Sequence, residues 1–362
     1  MRFFTFIALF FLSLFGNSQI NNAQVNRGPC FQKAADRLGK RFVDWQCDER
    51  DSIVDCNEEL SQTPGTNIVR LRSSGELFSG NCESCHDNGL KQRLVNFQNG
   101  KVNGLDTTYY RSGCPQVVRN HIAGVENGTW TYFNDTSGLI AWQINYSEGV
   151  KDGRSIYYSQ KKVGENALKV LINGEEKKIP YNDYENDTLK IEIYKDGRLN
   201  GIKKEYYPNS KLEKEVSYKD GVFDGPFIVY DKEGNILQEL NYKEGKKEGE
   251  WKYYYNDGNL LKIENWEEDV KNGVFKTFYI QGTIQTSENF KKGLKHGEFI
   301  ERFPNDKLKR SAFYKKDELI EEHVFDEKGN EIKTVGGDGP KKNNEDDQVT
   351  QKKSKKWWQF WK

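Results

Sequence analysis

The apolar residues of this chain fall in short runs of aromatic and β-branched side chains, cut at regular intervals by glycine-bearing turns. Aligning one glycine per unit, in most units the second of a Gly-x-x-x-Gly turn, gives Gly80, Gly104, Gly128, Gly153, Gly201, Gly225, Gly249, Gly273 and Gly297. The steps are 24 or 25 residues, except for one of 48 between Gly153 and Gly201. A second series, Tyr194, Tyr218, Tyr242, Trp266, Phe290 and Tyr314, also repeats every 24 residues, three ahead of each turn. Two independent series with one period define a repeat.

Within a repeat, an aromatic-rich segment such as Glu250–Tyr255 is followed by Asn256-Asp257-Gly258 and then by a charged, β-branched segment ending at Trp266. Short strands bounded by Asn-Gly or Asp-Gly signals are hairpins, because these residues accept the positive φ of tight turns. A second turn, as at Gly221 or Gly245, returns the chain for the next repeat. The predicted fold is all-β: an elongated antiparallel meander of about ten 24-residue β-hairpin repeats over residues 76–333. Two periods fit the 48-residue step, so a degenerate unit is expected at about 160–190, around Gly174 to Lys178. A partial unit closes the array near Glu321.

Aromatics recur two residues after the glycine (Trp130, Phe227, Trp251, Phe275, Phe299) and five after it (among them Phe133, Tyr206, Tyr254 and Phe278). On a regular strand these two positions face opposite sides. Either both faces of the sheet carry aromatics or a bulge realigns them.

The strings Gly124-Val-Glu-Asn-Gly-Thr-Trp-Thr-Tyr-Phe133 and Gly245-Lys-Lys-Glu-Gly-Glu-Trp-Lys-Tyr-Tyr254 resemble the MORN-repeat variant, a relative of the membrane occupation and recognition nexus repeat. The array is also similar to bacterial proteins labelled YwqK-family antitoxins. Asp106, Ser155 and Lys203 depart from the pattern, standing where Trp or Phe occurs in other units. The resemblance implies a hairpin ladder used for binding or scaffolding, near membranes in some members, with no shared catalytic residues.

Composition narrows the picture. Of 362 residues only 35% are hydrophobic while 30% are charged, thin material for a layered core of this size. Fifty-five acidic and 55 basic side chains balance to zero, so no field draws the chain to nucleic acid. Arg2 precedes an apolar run from Phe3 to Phe15, then Gly16 to Gln19: the order of a secretory signal over residues 1–18. Residues 19–75 form a small cysteine-containing segment. Export makes disulfides the expected state of Cys30, Cys47, Cys56, Cys82, Cys85 and Cys114, and the odd number before the repeats implies a bridge into them or a free thiol.

Cys82-Glu-Ser-Cys85-His86 matches the Cys-x-x-Cys-His attachment signature of c-type haem, which makes a haem or thiol redox protein the second reading. The repeat register argues against it, since cysteines three apart on a strand point to opposite faces, about 10 Å apart. The only methionine is Met1, so an axial partner would have to be His121, His296 or His323. Histidine is too sparse for a zinc set, and carboxylates such as Glu248, Glu250, Glu267 and Glu268 read as a solvated face. No catalytic residue, metal or cofactor is assigned.

Residues 334–351 read as a disordered linker. The tail Lys352–Lys362 combines Lys352, Lys353, Lys355, Lys356 and Lys362 with Trp357, Trp358, Phe360 and Trp361. Two readings stay open for it: a peripheral membrane contact, or docking on the last hairpin or a partner. The expected protein is non-catalytic and exported to the periplasm, the cell surface or the medium. It binds or scaffolds a protein or envelope component, with Trp130, Trp251, Tyr254, Phe275 and Phe299 as candidate contacts. The partner and the oligomeric state stay open, and an antitoxin or immunity role is a third reading that rests on resemblance alone.

Overall fold

Tight turns dictate the architecture. In the computed structural model, Asp220-Gly221, Glu244-Gly245 and Lys292-Gly293 all take positive φ, from 50° to 90°. They join strands in register Lys219↔Val222, Lys243↔Lys246 and Lys291↔Leu294. Two-residue connections with both φ positive match the twist of the strands they join. Where glycine is missing, Glu268-Asp269 and Lys316-Asp317 adopt the same backbone, Asp being one of the few residues that tolerate it.

The structure describes residues 53–172 and 175–336, and side chains outside 166–181. The signal segment 1–18, Cys30, Cys47, the linker beyond 336 and the tail Lys352–Lys362 lie outside the described residues. Among the described residues there is no helix. They divide between two compact bodies, Met1–Asn235 and Ile236–Lys362, and each body is an antiparallel meander of consecutive hairpins.

In the N-terminal body the first repeat strand, Gly80–Cys85, is flanked by Val54–Asp55 in parallel register. A small two-stranded sheet, Leu60–Gln62 with Val69–Leu71, adjoins it. Leu60, Phe78, Cys82, Val95 and Phe97 form the core there. The Cys56–Cys82 disulfide, with Cα atoms 5.2 Å apart, fastens the cysteine-containing segment to the first hairpin.

Inside hairpins of standard length the pairing slips once, and in the long hairpin that begins at Gly153 it slips twice. Tyr253 faces Lys262, but Tyr254 faces Leu260, leaving Leu261 as the extra residue. The same slip occurs at Ser84/Cys85, Glu205/Tyr206, Thr277/Phe278 and Glu301/Arg302. The bulge lies in the returning strand. The outgoing strand therefore keeps its alternation, and the aromatics two and five residues after the glycine face opposite sides.

The 48-residue step is filled differently from expectation. Gly153–Ile172 pairs with Glu175–Lys195 from Gly153↔Tyr194 down to Ile172↔Glu175, so one long hairpin replaces the anticipated extra unit at 160–190. The reason is local. Nine residues after the repeat glycine, Gly89, Gly113, Gly234, Gly258 and Gly282 turn the chain at positive φ. Here that place holds Lys162, with no Gly, Asn or Asp from Gln160 to Val163, and the strand runs on.

A recurring side chain ties some hairpins to the next. Tyr110, Tyr207, Tyr255 and Tyr279, six residues after their glycines, donate hydroxyl hydrogen bonds to the carbonyls of Phe133, Tyr230, Phe278 and Arg302, at 2.8 to 2.9 Å. Each acceptor lies 23 residues further on. Removing one such bond, as in Tyr255→Phe, is expected to cost about 1 kcal/mol in urea unfolding, with the far-UV spectrum unchanged.

Candidate functional site

The feature with the strongest regularity is a ladder of rings in the C-terminal body. Trp251, Phe275 and Phe299 stand two residues after their glycines; Tyr242, Trp266, Phe290 and Tyr314 stand on the neighbouring strands. Because Gly249 pairs with Trp266, Gly273 with Phe290 and Gly297 with Tyr314, strand alternation brings both series to one face. Along Tyr242, Trp251, Trp266, Phe275, Phe290, Phe299 and Tyr314, successive centroids lie 4.7 to 6.0 Å apart, mostly in tilted or edge-to-face geometry. These are favourable aromatic pairings.

A lysine column covers the rings. Lys247 lies 4.6 and 4.2 Å from the centroids of Trp251 and Trp266. Lys271 sits over Phe275 and Phe290, and Lys295 over Phe299 and Tyr314, at 4.6 to 5.5 Å. The three lysines occur at 24-residue intervals, two before each repeat glycine. Their ammonium groups meet the negative ring faces while their stems shield the ring edges.

Between the rings sits a buried carboxylate. Glu264 accepts hydrogen bonds from the Trp266 indole at 3.1 Å and the Tyr253 hydroxyl at 3.3 Å, and pairs with Lys262. Burial opposes its ionisation, but the Lys262 and Trp266 hydrogen bonds outweigh that and hold its carboxyl below the usual range. The same arrangement recurs 72 residues earlier. Glu192 accepts from Tyr194 at 2.9 Å and pairs with Lys190 at 2.9 Å and Lys203 at 3.7 Å. Against the cost of burial, the Lys190 and Tyr194 bonds depress its pKa as well.

In the N-terminal body the ladder is broken where the sequence departs from the repeat. Asp106 is buried and held by Arg93 at 2.8 Å and Arg119 at 3.2 Å. Lys203 bridges Glu192 and Glu205. Ser155 is fully buried, and its hydroxyl has no hydrogen-bond partner among the described residues. Trp130 keeps the pattern, packed on His121 and Tyr146 with Arg119 5.5 Å from its ring centroid.

The candidate contact residues are thus distributed by face. Trp251, Phe275 and Phe299 are only 3%, 6% and 4% exposed, so these rings are interior and not a contact surface. Trp130 is half-buried. Tyr254 lies on the opposite face, half-buried, with its hydroxyl 2.7 Å from Glu239. Lys247, Lys271 and Lys295, which cover the rings, are residues that sequence reasoning missed. Their 24-residue spacing was available, but lysine is so frequent here that the column does not stand out.

Cys82 and Cys85 are both disulfide-bonded, as is Cys114, and Cys82 is joined to Cys56 and not to Cys85. His86 instead places Nε2 3.1 Å from the Tyr109 carbonyl. Among the described residues, no group of three or more His, Cys, Asp or Glu is arranged to hold a metal ion.

Residues 199–220, 223–244, 247–268 and 295–316 match the model of the MORN repeat variant. No curated protein matches the chain. Among solved structures, choline binding protein F from Streptococcus pneumoniae is similar at 12% identity, over 78% of this chain and 95% of that one, with a TM-score of 0.17. At that value the two chains do not superpose as one fold.

Two outcomes follow from the buried contacts. Burial and Glu192 push Tyr157 up to about 12, and burial with the Glu239 hydrogen bond does the same for Tyr254. An unfolded chain ionises its tyrosines near 10. The folded state therefore holds more protons above that pH, and stability is lost as pH rises from about 10 to about 12. Tyrosinate absorbance should show a late phase that Tyr157→Phe and Tyr254→Phe reduce. Replacing Cys56 and Cys82 by Ala opens a link of sequence separation 26 and is expected to cost about 3 kcal/mol in reversible unfolding.

Proposed function

We propose that this array, four of whose units match the MORN repeat variant, is an exported, non-catalytic binding module for an extended anionic partner of the cell envelope. The observation that carries the reading is the lysine column. Lys247, Lys271 and Lys295 present one cation per hairpin, two strands apart, which is about 9 to 10 Å. A linear partner lying across the strands would meet the same group at each step, so weak single contacts would add up.

Two further observations support the reading. The disulfides at Cys56–Cys82, Cys85 and Cys114 favour an oxidising compartment. The buried ionisable groups on the ladder face, Glu192, Glu264 and Asp106, are each paired within the sheet, which favours a structural over a chemical role.

The test is retention of envelope components by the full chain and by a Lys247→Gln/Lys271→Gln/Lys295→Gln variant. Retention by the variant is expected to fall at least about tenfold, and wild-type retention to weaken with added salt. Undiminished capture by a variant with an unchanged near-UV spectrum would overturn the lysine-column reading.

A further inference from the structure

The last strand of the C-terminal body, Glu331–Val335, is exposed along its whole length. Among the described residues it pairs only with Glu318–Phe325. An exposed edge is a template for another strand, and proteins of this kind cover it or blunt it. Glu331 and Lys333 put charge on this edge, but apolar side chains stand on it as well. Ile332 is 65% and Val335 40% exposed. The pairings Phe299↔Ala312, Ala312↔Glu322 and Glu322↔Val335 place Val335 on the face that carries the ring ladder. Leu319, opposite Tyr314, is exposed on the same face. The ladder therefore ends at an open rung.

Charge around this edge is one-sided. From Asp317 to Val335 the chain carries seven acidic side chains against two lysines, Lys328 and Lys333. The segment Lys352–Lys362 has the complementary character, five lysines and no acid, with Trp357, Trp358, Phe360 and Trp361. The chain leaves the edge at Gly336, whose φ is 82° and where a Cβ would stand 2.2 Å from the Ile320 carbonyl oxygen. From there, residues 337–351 separate edge and tail, far more than the two to five or so that a reversing connection needs.

We propose that the tail Lys352–Lys362 docks as an added antiparallel strand along Glu331–Val335 and completes the ladder. In an extended segment Trp358 and Phe360 share one face, and that face lies against Val335 and Leu319, extending the ring column beyond Tyr314. The lysines sit over the acidic hairpin, as Lys247, Lys271 and Lys295 sit over their own rungs. The occupant is the protein's own tail, and the docked tail shields an edge that would otherwise recruit a second chain.

Hydrogen exchange read by mass spectrometry on the full chain tests this. Backbone amides of Glu331–Val335 are expected to exchange about tenfold or more slower in the native sequence than in a Trp357→Ala/Trp358→Ala/Phe360→Ala/Trp361→Ala variant. A second variant, Val335→Lys, leaves the tail intact and is expected to release protection from Lys352–Lys362 while interior strands such as Gly273–Phe278 stay protected. Equal exchange of the edge in the native and tail-substituted chains overturns the proposal. Edge protection that rises with protein concentration also overturns it, in favour of a second copy. So does tail-dependent binding to phosphatidylcholine vesicles with roughly a quarter phosphatidylserine that leaves edge protection unchanged, because the tail is then a membrane contact.

Discussion

Ring contacts between neighbouring strands hold the C-terminal body together, and most of its other features follow from that. Within this body neither a helix nor a second sheet covers the ladder face among the described residues, so each ring must bury its area against the rings before and after it. Trp251, Phe275, Phe290, Phe299 and Tyr314 achieve this with 9% exposure or less. Each contact is worth on the order of 1 kcal/mol beyond simple burial. The contacts form only if every hairpin has the same length and register, since a slip of one residue would send a ring to the other face. The 24-residue period is the consequence of that demand.

The turns and bulges supply the demanded regularity. Two-residue connections at positive φ lock the register between repeats, and the recurring one-residue slip lets each returning strand meet its neighbour without reversing the outgoing one. The tyrosine column reinforces this, because a hydroxyl reaching a carbonyl 23 residues on can do so only when both hairpins have the standard span. Lysines contribute a cover at small entropic cost, since their stems already lie along apolar surface.

The N-terminal body shows what replaces a ring when the sequence omits it. Asp106 recruits two arginines, Lys203 two glutamates, and Cys82 a disulfide. A buried charge left unpaired would be strongly destabilising, so these partners are required by the departures themselves. Ser155 is the exception: its buried hydroxyl has no described partner. Breaking the ladder at several places makes this body chemically more varied than the C-terminal one, and the interior positions of the repeat carry that variety.

Much of the fold was legible because its determinants are local. Glycine spacing, turn residues and the aromatic series at Tyr218, Tyr242 and Trp266 determined the all-β hairpin repeat and its register from sequence alone, since a tight turn and the two-residue strand period need only neighbouring residues. The opposite facing of Cys82 and Cys85 followed from the same period. What the tertiary structure alone decided depends on residues brought together from separate strands. Whether Trp251 and Phe275 lie inside or outside turns on what covers them, and the covering Lys247 and Lys271 cannot be told from the many other lysines by type. Which cysteine meets Cys56 is a matter of where Val54–Asp55 pairs. Local chemistry names the repeat, while burial and partnership arise only when the strands meet.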